Sequence, residues 1–122
     1  MTGYVVLLPG DETAWEEASA ETRSATYAKH GEFARALAAR GHTVTGGAEL
    51  THSREARVVR RTDTGVRVTE GPYAESVEQL TGFYVVETDD LDDLLEVCGI
   101  LAEGDGPVEV RAVVGGADGA TS

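Results

Sequence analysis

Residues 70–87 read EGPYAESVEQLTGFYVVE, and the two halves of this stretch have opposite physical character. The first half holds a turn-forming Gly71-Pro72 pair, an aromatic at Tyr73 and carboxylates at Glu70, Glu75 and Glu78. The second half opens into residues 83–87 (FYVVE), an apolar run rich in β-formers. Residues 4–8 (YVVLL) are of the same kind. Hydrophobicity that is continuous rather than alternating marks a strand buried on both faces. Two such strands, far apart in the chain, require layers on both sides of one sheet.

Downstream, residues 88–90 (TDD) start a helix whose stripe is Leu91, Leu94, Leu95, Cys98, Leu101 and Ala102. Asp89, Asp90, Asp92 and Asp93 crowd its first turn, where the helix dipole favours anions. Gly104 is expected to end it, and residues 108–114 (VEVRAVV) form the last strand. The tail 115–122 (GGADGATS) has nothing to bury and is expected to be disordered.

Upstream, residues 57–62 and 65–69 form a hairpin around the turn at 62–65, with one wet face because Val66 and Val68 alternate with Arg67 and Thr69. Residues 42–50 (HTVTGGAEL) read as a strand in which Gly46-Gly47 marks a bulge or a close backbone approach. Residues 21–40 are helical, with Tyr27, His30, Phe33, Ala34 and Leu37 on one face. Gly31 within that helix costs about 1 kcal/mol relative to Ala, which implies a closely packed neighbour. Gly41 supplies the stop. Pro9-Gly10-Asp11 is expected to end the first strand, and Thr13 with Glu16 has capping-box spacing for a single helical turn.

The order is therefore β-α-β, a hairpin insert, then β-α-β. Helical crossovers of one hand place both helices on one face of the sheet, a ferredoxin-like α+β arrangement. Two helices cover only one face. The other needs a second sheet, and a second copy of the chain is the simplest source, so a homodimer joined through its sheets is expected.

At 122 residues one domain over 1–114 is expected, since domains commonly run about 100–150 residues. A formal charge of −12 repels a phosphate backbone and argues against nucleic-acid binding. Five of the ten basic residues (Arg54, Arg57, Arg60, Arg61, Arg67) share one short segment. That patch can meet an anionic ligand or simply be a solvated hairpin face. The single cysteine, Cys98, excludes an intramolecular disulfide and fits a reducing compartment. There is no leader-like or long apolar segment, so no membrane span is expected and the cytoplasm is the expected location.

The run EGPYAES resembles the DGPF signature of the YCII-related family of small bacterial proteins. The opening YVVLLPGDETAW resembles the family's first strand and Gly-Asp-Glu turn. Residues 28–33 (AKHGEF) are similar to its first-helix pattern, and 46–50 (GGAEL) to its second-strand glycine motif. Three positions depart from the pattern: Glu70 stands for Asp, Tyr73 for Phe, and Val77 where a Lys is frequent, which weakens anion binding there. The resemblance implies a dimeric α+β barrel and, by motif match, a functional role for His30 beside an acidic residue. It also implies the wider superfamily's cofactor-independent isomerases, lyases, dehydratases and oxygenases. Relatives encoded beside alternative sigma factors supply a second, regulatory reading.

His30 can shuttle protons if a carboxylate orients it, or can be a core histidine bonded to backbone. Glu70, Glu75 or Glu78 can supply that carboxylate or stay solvated. Asp11 either reaches the same end of the sheet or caps the short helix. Tyr73 can bond a ligand oxygen or pack on the sheet edge. Trp15 and Phe33 wall a pocket or the core, and Cys98 packs within a Leu stripe. His42 and His52 lack zinc-ligand spacing, and no dinucleotide fingerprint, P-loop or nucleophile elbow occurs, so neither metal nor cofactor is expected. The reading is a small acid–base enzyme with His30 as acid or base and Glu70 or Glu75 orienting it. Asp11, Phe33, Tyr73 and Glu78 are expected at the ligand.

Overall fold

The computed structural model describes residues 1–115; the tail expected from 115 onward falls on 116–122, outside the described residues. The elements are β1 (Thr2–Asp11), α1 (Glu12–Glu17), α2 (Ala20–Ala39), β2 (Thr43–Glu49), β3 (Arg57–Thr62), β4 (Gly65–Glu70), β5 (Glu78–Thr88), α3 (Leu91–Asp105) and β6 (Glu109–Ala112). A 3-10 turn, Ser53–Glu55, precedes β3.

Four strands form an antiparallel sheet in the order β2-β5-β1-β6, while β3 and β4 pair only with each other. The two apolar runs are direct neighbours, with Val5 opposite Val85 and Leu7 opposite Phe83. This is the ferredoxin-like α+β arrangement: β1 and β2 run parallel, with β5 between them. The core lies under the helices, where Phe33 and Leu37 of α2 meet Leu94, Val97, Cys98 and Leu101 of α3 over Val6 and Val86. Burial of the Cys98 thiol pushes its pKa up to about 11, which keeps it protonated and inert.

Local corrections follow from hydrogen bonding. Strand β1 does not stop at Pro9. The register shifts between Leu8 and Pro9, with Thr81 of β5 as the extra residue, and β1 runs on to Asp11; Thr81 Oγ1 donates to the Leu8 carbonyl there at 2.8 Å. A bulge suits proline, which has no N–H for the ladder. The cap of α1 is Asp11, whose carboxylate accepts from the Ala14 N–H at 3.1 Å, so Thr13 lies inside the first turn. Helix α2 starts one residue early, capped by Ser19. Its inner face is His30, Phe33 and Leu37; Tyr27, one turn before His30, is half exposed at the rim of the cleft, and Ala34 faces out. Nothing packs closely on Gly31, where an added Cβ would meet only the Arg35 guanidinium. In α3, Leu91, Leu95 and Ala102 point outward, and the helix passes Gly104 to end at Asp105 before Gly106 at φ 98°. Gly46-Gly47 does mark both a bulge in β2 and a close approach to β5. No helix of the described residues is long and apolar enough to cross a membrane.

Candidate functional site

A cleft of about 920 Å³ opens between α1, α2 and the ends of β1, β2 and β5. Strand alternation places Tyr84 on the helix side of β5, two residues from the core Val86, and α2 sets His30 above it. The two rings stack at an interplanar angle of 28° with centroids 5.9 Å apart, and His30 Nδ1 is 2.7 Å from Tyr84 Oη. Phe33 supports Tyr84 from the core with its ring centroid 5.1 Å away. Burial raises the Tyr84 pKa, so its phenol keeps its proton at neutral pH.

The outer wall is aromatic. Trp15 and Tyr27 meet edge to face at 5.6 Å. Tyr27 donates its hydroxyl to the Glu49 carboxylate at 3.1 Å, which raises the phenol's pKa. Arg23 lies over the Trp15 ring and donates to the Trp15 and Glu16 carbonyls, tying α1 to α2.

The far end of the cleft is polar. Glu12 is buried, and its carboxylate accepts from the Ser53 N–H at 2.7 Å and the Ser53 hydroxyl at 2.6 Å. His52 Nδ1 accepts from the Arg54 N–H at 3.0 Å, so in the neutral ring the proton sits on Nε2, 3.7 Å from Glu16. Arg54 grips the Glu16 carboxylate through its two terminal guanidinium nitrogens and holds its pKa below the usual carboxylate range. Among the described residues, no three His, Cys, Asp or Glu side chains gather as a metal-ligand set.

The residues singled out from sequence are spread more widely than one site. His30 and Asp11 both line the cleft, Asp11 while capping α1. Glu75 lines a smaller adjoining recess of about 420 Å³, together with Asp11, Glu12 and His52. Glu70 lies exposed at the end of β4 opposite Arg57, and Glu78 is exposed opposite Asp11. Tyr73 is 86% exposed, and Phe33 is fully buried behind Tyr84. Sequence reasoning missed Tyr84, Glu12, His52 and the Glu16–Arg54 pair as cleft residues. Period-two alternation in FYVVE was a usable signal for Tyr84, because it puts that ring on the Val86 face.

Comparison with curated proteins finds no match. The family model for the YCII-related domain matches residues 3–115, which include every element of the sheet, both long helices and the whole wall of the cleft. The chain belongs to the YCII-related domain family.

Proposed function

We propose that the protein is a cofactor-independent acid–base enzyme, an isomerase, lyase or dehydratase, acting on a small organic substrate in the large cleft. The observation that carries this reading is the 2.7 Å contact between His30 Nδ1 and the Tyr84 hydroxyl in the cleft wall. A protonated phenol donates to Nδ1, which leaves the neutral imidazole with its proton on Nε2. When His30 takes a second proton, Nδ1 becomes a donor and the same phenol oxygen accepts. Either protonation state therefore keeps a partner, which is what a reversible proton carrier requires. In this role Tyr84 orients His30, and Glu75 can stabilise charge from the adjoining recess; Glu70 lines neither cavity.

Trp15 and Tyr27 offer aromatic faces for a flat, largely apolar substrate body. The cationic side chains at the wall, Arg23 and Arg54, are already engaged with backbone carbonyls and Glu16. A homodimer through the helix-free sheet face completes the proposal, supported by half-buried Val5, Leu7, Phe83 and Val85 on that face.

The test is an NMR titration of the His30 imidazole in the wild type and in Tyr84→Phe, with and without a panel of small carboxylic and phenolic compounds. The expected result is a His30 midpoint that differs between the two proteins and moves again on ligand addition. His30→Ala is then expected to abolish turnover of the compound that binds, with the fold intact. A midpoint insensitive to both the substitution and every ligand would make His30 structural. Binding without turnover would instead support a metabolite-sensing module, as in the sigma-factor reading.

A further inference from the structure

Among the described residues, the β3–β4 hairpin is an arm that pairs with nothing but itself. Opposed residues of an antiparallel pair share a face, so Arg57, Val59, Arg61, Val66, Val68 and Glu70 lie together. Val59, Val66 and Val68 are 63%, 61% and 55% exposed there. A two-stranded hairpin is marginal in water unless its apolar face is covered. Three valines on the bare face of such an arm require a cover.

The arm is also opposite in charge to the rest of the chain. Four arginines against Asp63 and Glu70 give it +2, so the remainder carries −14 of the total −12. Helix α3 presents a surface of matching chemistry. Leu91 and Leu95, one turn apart, are 37% and 46% exposed, and the exposed acids Asp92 and Glu96 run beside them. Both patches join branched aliphatic side chains to charge, and the charges are opposite.

We propose that the β3–β4 arm of one copy docks its Val59/Val66/Val68 face on the Leu91–Leu95 face of α3 in a second copy, with Arg57 and Arg61 against Asp92 and Glu96. The contact is reciprocal, so two arms and two helices close a twofold dimer and leave neither patch bare. It is separate from the sheet-to-sheet contact proposed above and involves none of the cleft residues.

Sedimentation equilibrium of the full chain tests the idea, with circular dichroism as a control for folding. Val68→Glu and Leu95→Glu are each expected to weaken the dimer by about tenfold or more. Arg61→Glu is expected to weaken it too, and adding Glu96→Arg to restore it. As a second readout, Val66→Cys with Leu91→Cys is expected to give a disulfide-linked dimer on mild oxidation, because the native Cys98 is buried and inert. A monomeric wild type, or cysteine variants that yield no linked dimer, would overturn the proposal. So would arm variants that dimerise like the wild type while Val85→Glu on the sheet face does not; that result would leave the sheet contact standing alone.

Discussion

His42 joins three elements from a position with almost no access to water. Its Nδ1 lies 2.7 Å from Thr88 Oγ1 and its Nε2 2.7 Å from Asp93 Oδ2. The Thr88 hydroxyl accepts from the Asp90 N–H at 3.0 Å, so its own proton is available to Nδ1. The neutral ring then carries its proton on Nε2 and donates it to Asp93. This hydrogen bond from His42, followed by the charge of Arg40, holds the Asp93 carboxyl below its ordinary pKa. A depressed carboxylate contributes stability that is present above its unfolded pKa and is lost as pH falls through the folded value. Urea melts of wild type and Asp93→Asn should therefore differ at neutral pH and converge as the pH drops below about 4. Curves that stay parallel to acid pH would show that the Asp93 charge contributes nothing. The cluster was invisible in sequence because Thr88 and Asp93 lie 46 and 51 residues from His42.

At the scale of elements, legibility followed local chemistry. The hairpin at 57–70, the long α2 and the paired apolar strands were readable because alternation, helical period and turn residues are properties of neighbours in sequence. The end of β1 and the outward face of α3 were not, because a bulge and the choice of face are decided by what packs across. The two glycines of this region differ in the same way. Gly47 sits at φ 148°, and a Cβ there would stand 2.6 Å from the Phe83 carbonyl oxygen, in rigid backbone. Gly31 is helical, and a Cβ there would meet only the movable Arg35 side chain at 3.4 Å. Thermal melts should therefore move in opposite directions. Gly47→Ala should destabilise by more than about 1 kcal/mol, and Gly31→Ala should stabilise by roughly 0.5–1 kcal/mol. Two shifts of the same sign would refute the close approach of β2 to β5 as the reason for glycine at position 47.

For the molecule as a whole, the cleft and the sheet are coupled through Phe83 and Tyr84, adjacent residues that point to opposite sides of β5. Tyr84 meets His30 on the helix side, while Phe83 joins Val5, Leu7 and Val85 on the helix-free side. The candidate site was half legible for this reason. His30 could be named from its motif, but its partner belongs to a strand 54 residues away, and the carboxylates favoured from sequence lie on the arm and the adjoining recess. The helix-free face has apolar side chains in register on two central strands and, among the described residues, no helix over them. If a second copy covers it, folding and association are linked, and mass action makes the melting temperature rise with protein concentration. Val85→Glu places a carboxylate at the centre of that face, opposite Val5. Its unpaired burial would cost more than the contact returns, so the variant should lose the sheet-to-sheet contact. Its melting temperature should be lower than that of the wild type and rise less steeply with concentration. Calorimetric scans of both proteins over about a hundredfold range of concentration decide the matter. A wild type whose melting temperature does not move with concentration would mean that this face is solvated as it stands.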